Sequence, residues 1–444
     1  MKNINLYNAI RAYCQEAVKL LSLRFTNEVM PTRVVEEVEI ISNHEISQRY
    51  STEVQWDTLI HKKESELSAT DSYAEAIKQF NADATIAKQL GVLVGTSLMS
   101  QSIQASECLR ILLTNMLSKA NALSFYEKAL QEAYKEMEDY FYNDTFRFRL
   151  LAPIDGLIMD LDELDLGNNL KIIRLTNEER SRLLSNHGLF LSGLNMNIAF
   201  RLFAFEVKVE SQKTIGAQPE HNLSQNPFEI GRNSFYNALS ALRLFKDGGI
   251  GFNEIFTESE GWKVSGSLAI SGGNSFRIGV KYKLTNKESQ DFLLFWQNYQ
   301  SIQALDRLEI GSAIKRFNFG LERLNQEDQL VDFTISLEAL LLSEEQELSY
   351  KIAMRYSRFL GNQPDEREQI SDVMKNAYKQ RSKIVHGGRL MTSFQVGNQT
   401  KSAGELVELV KNNTRFAIRK YMDLAATKTK DEIIKDLDNF LVRG

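Results

Sequence analysis

Proline is scarce in this chain of 444 residues, and its absence from two long stretches bears on the fold. The five prolines include none between Thr32 and Ala152 and none after Pro364. Since proline breaks the interior of a helix, both stretches can hold long helices. The chain is also longer than one typical hydrophobic core requires, so we expect two or three domains.

Cysteine and long apolar runs are equally scarce. Cys14 and Cys108 lie far apart and lack metal-site spacing, so we expect a reduced, cytoplasmic protein without a structural metal. The longest apolar run, LGVLVGTSLM at 90–99, is half of the ~20 residues that a membrane span needs. Residues 1–21 lack the apolar core of a signal peptide, and no Gly-Lys-Ser/Thr phosphate loop occurs. We therefore expect no membrane association and no cofactor.

Excess positive charge is missing from the whole chain but not from one part of it. The 53 lysines and arginines stand against 58 acidic residues, so the protein is not a general polyanion binder. Between Asp372 and Lys430, however, 12 basic residues stand against 4 acidic ones, a local charge of +8. Such a strip on an acidic chain predicts a local phosphate-binding surface, and a solvated helix face is the alternative.

Hydrophobic periodicity divides the chain into three predicted parts. Residues 1–143 place apolar residues three and four apart, as in YAEAIKQF, which predicts a helical N-terminal region. Residues 144–285 mix strand-like runs such as LKIIRL with two helices, opened by the capping box Thr176–Glu179 and by Asn226-Pro227. Residues 286–444 return to amphipathic helices with short loops. The predicted fold class is mostly α, with a central mixed α/β domain and a C-terminal helical bundle.

Histidine is rare as well, and two of the five histidines follow an arginine by five positions. Arg182-Leu-Leu-Ser-Asn-His187 and Arg381-Ser-Lys-Ile-Val-His386 both close a predicted helix before a glycine. The leucines and strand-rich neighbours of the first pair predict a structural role, with His187 capping the helix end. The second pair lies in the basic strip, where it is either a ribonuclease site or an ordinary helix end.

Three segments of the C-terminal third resemble the Apea-like branch of the HEPN superfamily in sequence and in the order of their helices. They are EDQLVDFTISLEALLL, KIAMRYSRFLG and YKQRSKIVHGG. The resemblance covers roughly residues 290–430. It implies a bundle of four to five helices that dimerises and joins two Arg-x4-His pairs in one cleft. It also implies a metal-independent endoribonuclease in which His386 acts as general acid or base and Arg381 holds the scissile phosphate. Ser382 fills the polar position after the arginine.

The residue types suit this chemistry. Histidine titrates near neutral pH, and a guanidinium grips a phosphate through two parallel hydrogen bonds. The neighbouring Lys379, Lys383 and Arg389 are predicted to bind the RNA backbone. No metal is expected, because the RNA 2′-hydroxyl serves as the nucleophile.

Helix geometry predicts a homodimer. Five residues of an ideal helix separate Arg381 and His386 by about 140° around its axis, so one helix does not easily direct both at one phosphate. A two-fold axis can place the arginine of one chain beside the histidine of another. Alternatively, the long arginine side chain reaches round the helix, or the last turn unwinds at Gly387-Gly388.

The resemblance also bears on biological role. It implies a bacterial antiviral-defence or toxin effector, with the N-terminal and α/β regions sensing a trigger, such as a phage component, or restraining the nuclease. Some relatives carry a tyrosine two residues after the histidine that a partner nucleotidyltransferase modifies, but this chain has Gly388 there. The alternative function is a non-catalytic HEPN module that binds RNA or a nucleotide, or serves as a dimerisation scaffold. No nucleophile elbow or carboxylate pair in residues 144–285 predicts a separate activity.

Overall fold

The computed structural model describes residues 1–25, 29–42, 45–96, 100–185, 201–216, 226–262, 268–271, 281–343 and 347–443. The chain is mostly helical, as predicted. It forms two compact units: unit 1 is Met1–Pro153, Gly167–Phe235 and Glu254–Gly272, and unit 2 is Ile154–Leu166, Tyr236–Asn253 and Gly273–Gly444. These units differ from the three consecutive parts predicted, because segments of residues 144–285 contribute to both.

The first seven helices of unit 1 enclose one apolar core, and an eighth helix follows them in the sequence. They are α1 (Ile4–Arg24), α2 (Trp56–Lys62), α3 (Glu64–Leu67), α4 (Asp71–Ala82), α5 (Ala84–Ala87), α6 (Ala105–Ala120), α7 (Glu127–Tyr142) and α8 (Asn177–Ser185). The core includes the two cysteines, both buried and unpaired, and Trp262 from a distant part of the sequence. The capping box that opens α8 is confirmed, since the Thr176 N–H donates to Glu179 Oε2 at 3.0 Å and the Glu179 N–H donates to Thr176 Oγ1 at 3.1 Å.

Sixteen strands are found among the described residues. They are β1 (Thr32–Ser42), β2 (Glu45–Val54), β3 (Leu93–Gly95), β4 (Ser100–Ser102), β5 (Thr145–Asp155), β6 (Leu157–Met159), β7 (Glu163–Gly167), β8 (Leu170–Arg174), β9 (Phe203–Gln212), β10 (Thr214–Ile215), β11 (Gly251–Phe252), β12 (Glu254–Glu260), β13 (Leu268–Ser271), β14 (Tyr282–Leu284), β15 (Ser393–Val396) and β16 (Gln399–Ser402). In unit 1, neighbouring strands follow the order β13-β12-β5-β9-β8. In unit 2, β6 pairs with β14 in parallel.

The prediction that residues 1–143 form a helical region was wrong where β1 and β2 occur. Strands β1 and β2 form an antiparallel hairpin, and β3 pairs with both β4 and β10. The sequence of β1, TRVVEEVEIIS, is rich in β-branched valine and isoleucine, which pack better on a pleated strand than in a helix. That local enrichment was the signal that the helical reading overlooked.

Unit 2 contains the C-terminal part of α9 (Pro227–Phe245), which begins where predicted because Asn226 Oδ1 accepts from the Phe228 N–H at 2.9 Å. The other helices of unit 2 are α10 (Asn286–Gln303), α11 (Leu308–Glu322), α12 (Gln326–Leu341), α13 (Leu348–Leu360), α14 (Pro364–Val385), α15 (Ala403–Ala425) and α16 (Lys430–Arg443), all predicted from periodicity. Helix α12 is central and packs against α11, α13, α14, α15 and α16. Within the described parts of the chain, every helix is too short or too polar to cross a membrane.

Two glycines of α11 give a matched test of the packing against α12. A Cβ on Gly320 would lie 2.4 Å from the ring of Phe333, whereas a Cβ on Gly311 would meet nothing within 4 Å. We expect Gly320→Ala to lower the free energy of unfolding by about 1–3 kcal/mol through overpacking. Gly311→Ala should raise it by about 0.5–1 kcal/mol, because alanine loses less backbone entropy in a helix. Denaturant unfolding of both variants measures this, and equal effects of the two would contradict the packing.

Candidate functional site

The candidate residues lie at the C-terminal end of α14, which is closed by a Schellman motif. The Gly387 N–H donates to Ile384 O at 2.9 Å, and the Gly388 N–H donates to Lys383 O at 2.8 Å. Gly387 has a φ of +86°, which residues with a Cβ rarely adopt. A Cβ on Gly388 would lie 2.6 Å from Lys383 Cγ. The two glycines therefore end the helix, and no unwinding of its last turn is seen before Val385.

His386 is the residue at which α14 ends, and its side chain is exposed. Its backbone N–H donates to Ser382 O at 3.2 Å, while its imidazole forms no hydrogen bond or ion pair with the described residues. Ser382 is half-buried one turn earlier. Among the described residues, the imidazole therefore has no structural role that its exposure would compromise.

Arg381 is held by a carboxylate that the sequence reading did not select. Its Nη2 lies 3.4 Å from Oε2 of Glu338 on α12, and the side chains remain 27% and 19% exposed. Burial raises the pKa of the Glu338 carboxyl, and the charge of Arg381 acts in the opposite direction. The pKa of Tyr378, one turn before Arg381, is raised by burial and by Glu338. The Arg381 side chain thus contacts α12 through Glu338 and keeps 27% of its surface exposed.

Glu338 should make the free energy of unfolding measurably dependent on pH. Because its pKa is higher in the folded state than the ordinary 4.5, the folded protein retains this proton as the pH rises above 4.5. The free energy of unfolding of the wild type should therefore fall relative to that of Glu338→Gln across this range. Unfolding titrations at several pH values from 4 upward measure the difference.

Glu405 supplies a control of opposite sign. Backbone and side-chain hydrogen bonds from Ser402 lower the pKa of Glu405. Its contribution to stability is present above the ordinary pKa and is lost as the pH falls. Relative to Glu405→Gln, the wild type should therefore gain stability as the pH rises. If the difference in free energy of unfolding between wild type and variant changed with pH in the same direction for Glu338→Gln and Glu405→Gln, the pKa of Glu338 would not be raised by burial.

Of the basic strip predicted over 372–430, folding leaves four cations without an ion pair among the described residues, three on one face of α14 and one just after its end. Eight of its twelve cations are held by partners: Arg381 by Glu338, Lys401 by Glu405, Lys411 and Arg415 by Asp247, Arg419 by Phe245 O, Lys420 by Phe359 O, Lys428 by Asp436, and Lys430 by Ala339 O and Leu342 O. The other four, Lys375, Lys379, Lys383 and Arg389, are exposed and form no ion pair with any described residue. We call these four the basic row.

The basic row contains the three residues predicted to bind the RNA backbone and adds Lys375. Lys375, Lys379 and Lys383 follow one another at intervals of four, so they lie along one face of α14 that leads to His386. This spacing was readable in the sequence. What the sequence did not reveal was that the other cations of the strip are occupied.

The chain after His386 is tied back to the bundle. The Leu390 N–H donates to Glu327 Oε1 at 2.8 Å, and the Met391 N–H donates to Gln380 Oε1 at 3.3 Å. The hairpin β15–β16, which was not predicted, then binds α14 again, since the Gly397 N–H donates to Asp372 Oδ2 at 2.9 Å. These contacts hold the end of α14 in place.

The other Arg-x4-His pair involves a different helix. Arg182 lies on α8, as predicted, but His187 falls outside the described residues. The prediction that this pair is structural therefore stays a prediction.

No protein-family model, curated protein or solved structure matches this chain. Among the described residues, no group of three or more histidine, cysteine, aspartate and glutamate side chains is arranged to hold a metal ion.

Proposed function

We propose that unit 2 is a metal-independent endoribonuclease of the HEPN type that cleaves RNA through its 2′-hydroxyl. The observation that carries this proposal is the set of side chains at the end of α14 and along the face that leads to it. The exposed imidazole of His386 and the side chain of Arg381, which contacts Glu338, lie near the end of α14, and the lysines of the basic row lie along one face of the same helix. The likeness of the RSKIVHG phrase to Apea-like HEPN domains names the reaction class, and the arrangement suits it.

The proposed reaction is a transesterification within the RNA. His386 removes the proton of a 2′-hydroxyl, whose oxygen forms a bond to the adjacent phosphorus. The bond from phosphorus to the 5′-oxygen of the next nucleotide breaks, and that oxygen receives the proton that His386 took up. Arg381 balances the negative charge that builds on the phosphoryl oxygens. Ser382, half-buried beside them, is proposed as a polar contact to the phosphate. The products are a 2′,3′-cyclic phosphate and a free 5′-hydroxyl.

A second chain is proposed to complete this site, giving a homodimer. The angle of about 140° between Arg381 and His386 on one helix separates base and phosphate grip. Val385, next to His386 in the sequence, and Met391 keep 55% and 46% of their surface exposed, so a partner chain at this end would bury apolar surface. A two-fold axis near this end would cover them and place the arginine of one chain near the histidine of the other.

The direct test is incubation of the purified chain with total RNA and a matched DNA in the presence of EDTA. We expect RNA fragments with 2′,3′-cyclic phosphate and 5′-hydroxyl ends, and uncut DNA, because DNA lacks the nucleophile. Fragments with 5′-phosphate and 3′-hydroxyl ends, or a strict magnesium requirement, would reject the proposed chemistry.

The basic row is expected to supply the salt-dependent part of RNA binding. Replacing Lys375, Lys379 and Lys383 by alanine should weaken binding to a single-stranded RNA. The slope of log K against log salt should become shallower by about 0.7 for each phosphate that the variant no longer neutralises. The control is Lys435→Ala, an exposed lysine of α16 in the same unit. An unchanged slope in the triple variant would show that RNA binds elsewhere.

A non-catalytic module remains the second candidate because of one observation. The Gly387-Gly388 pair ends the helix, and the Arg381–Glu338 contact joins α14 to α12. The RSKIVHG segment could therefore have a purely structural role. In that case the basic row would bind RNA or a nucleotide without cleavage, or the unit would serve only for dimerisation. Binding of RNA with no detectable product ends would favour this candidate.

The biological role proposed for the nuclease is that of a cytoplasmic effector in bacterial antiviral defence, or a toxin. This part rests on the resemblance alone. Unit 1 would then respond to a trigger or regulatory partner.

A further inference from the structure

Unit 1 contains a cavity of about 260 Å³ that the proposed nuclease does not use. It lies where the end of α7 meets β3, β4, β5 and the end of β12. Its apolar wall is aromatic: the ring of Tyr140 lies 5.3 Å from that of Phe146 and 5.2 Å from that of Trp262, and Phe148 completes the wall. The ring of Tyr140 is inclined by 42° to that of Phe146 and by 71° to that of Trp262, so the wall offers ring faces and ring edges, which suit an aromatic ligand.

The charges that line the cavity are already neutralised. Each charged lining residue has a partner of opposite sign: Glu136 pairs with Lys119, Asp139 with Lys135, Glu260 with Lys208, and Arg147 with Glu210. Among the described lining residues, a phosphate or carboxylate would meet no unpaired cation, and an ammonium would meet no unpaired acid. The lining therefore favours an uncharged ligand.

The remaining polar lining consists of neutral groups that both donate and accept hydrogen bonds. Ser100, Gln101, Asn143, Thr145 and Ser259 contribute three hydroxyls and two amides. The Gln101 amide donates to Tyr140 Oη at 3.4 Å. Amide side chains pair well with the edge of a heterocycle that carries adjacent donors and acceptors. The chemistry of the lining thus combines ring stacking with edge recognition.

A half-buried lysine makes the aromatic wall rigid. Lys213 Nζ donates to Tyr140 O at 2.5 Å and to Phe141 O at 3.0 Å, which fixes the end of α7. It also lies 5.2 Å and 5.6 Å from the ring centroids of Tyr140 and Phe146. The wall is therefore formed before any ligand arrives, which lowers the entropic cost of binding.

We propose that this cavity binds an uncharged planar heterocycle of the size of a nucleobase or nucleoside. The volume is below the roughly 300–1,000 Å³ of pockets for drug-sized molecules, so a single heterocycle fits better than a dinucleotide or a peptide helix. The proposal does not rest on the nuclease, because every residue that carries it belongs to unit 1.

The test uses the full chain and four probes, adenosine, guanosine, cytidine and uridine, followed by calorimetry and tryptophan fluorescence. At least one nucleoside should bind saturably with a Kd no weaker than about 1 mM. Its 5′-phosphate should bind no more tightly, because the cavity offers the phosphate no unpaired cation among its described lining. Failure of all four nucleosides to bind at about 10 mM would overturn the proposal.

Variants locate the binding. Phe146→Ala should weaken it about tenfold or more through loss of stacking, and Asn143→Ala should weaken it through loss of an edge hydrogen bond. The matched control is Phe416→Ala, which removes an exposed ring from unit 2. Trp262→Phe should remove the fluorescence change while Trp296→Phe keeps it. If Phe146→Ala does not fold, the double variant Asn143→Ala, Gln101→Ala replaces it. An unchanged nucleoside affinity of that double variant would also overturn the proposal.

Discussion

Replacing His386 by alanine is expected to slow RNA cleavage by about 10²–10⁴-fold while the protein stays folded. The effect follows from removal of the group that moves the proton in the proposed reaction. The fold should survive because the imidazole is exposed and bonds to no described residue, while the helix end is held by the backbone bonds of Gly387 and Gly388. RNA affinity should stay nearly constant, since the basic row is intact. Single-turnover cleavage and equilibrium binding measure the two effects separately.

His61 provides a matched control for this variant. It is also an exposed histidine in the last turn of a helix, and its Nδ1 lies 3.0 Å from Glu64 Oε2. His61→Ala should leave cleavage unchanged. A His386→Ala protein that cleaves at the wild-type rate would place the chemistry elsewhere.

A mixing experiment distinguishes a shared site from one built within a single chain. Arg381→Ala and His386→Ala should each be inactive alone. If a site takes its arginine from one chain and its histidine from the other, an equal mixture should recover about a quarter of wild-type activity, because half of the dimers are mixed and each has one intact site. Since Arg381→Ala also leaves Glu338 without its cation, the mixture should be repeated with Arg381→Ala in a Glu338→Gln background. No recovery in either mixture would mean that both residues act within one chain.

Arg355→Ala is expected to lower the free energy of unfolding of unit 2 by about 3 kcal/mol. Arg355 is 2% exposed, and its guanidinium donates to Asp438 Oδ1 at 2.9 Å and Oδ2 at 2.7 Å and to Leu341 O at 2.7 Å. It therefore joins α13 to α16 and to the end of α12. Its removal leaves a cavity and an unpaired carbonyl, so hydrogen exchange of Lys430–Arg443 should accelerate strongly.

The control for Arg355 is a surface ion pair that also involves α16. Lys428 Nζ lies 2.7 Å from Asp436 Oδ2, and both side chains are well exposed. Lys428→Ala should destabilise the protein far less than Arg355→Ala, because water screens the exposed ion pair. If the two variants were equally destabilised, Arg355 would not be the tether of α16.

Local sequence signals predicted the helices well and the hairpins poorly. The capping box Thr176–Glu179 and the Asn226-Pro227 start are confirmed because such caps involve residues within three positions of one another. The β1–β2 and β15–β16 hairpins were missed, since strand pairing depends on partners along the chain rather than on a helical period. The turn of the second hairpin, Gly397-Asn398, is a dipeptide typical of tight turns, and it could have predicted this hairpin.

The candidate site was only half readable. The sequence predicted Arg381, Ser382, His386, Lys379, Lys383 and Arg389, but not Lys375. Glu338 lies within the LEALL segment and was not predicted as a site residue. A single glutamate in an otherwise apolar helix does not indicate which side chain it will contact. Only the packing of α12 against α14 brings it to Arg381.

Local sequence was sufficient to predict several helix ends, the charge of residues 372–430, and an arginine and a histidine near the end of one helix. These features depend on neighbours within a few residues. Which of the charges are available depends instead on tertiary packing. Lys411 and Arg415 are bound to Asp247, more than 160 positions away, whereas Lys375, Lys379 and Lys383 face solvent. A cation is free only if folding brings no acceptor to it, and no local pattern records that.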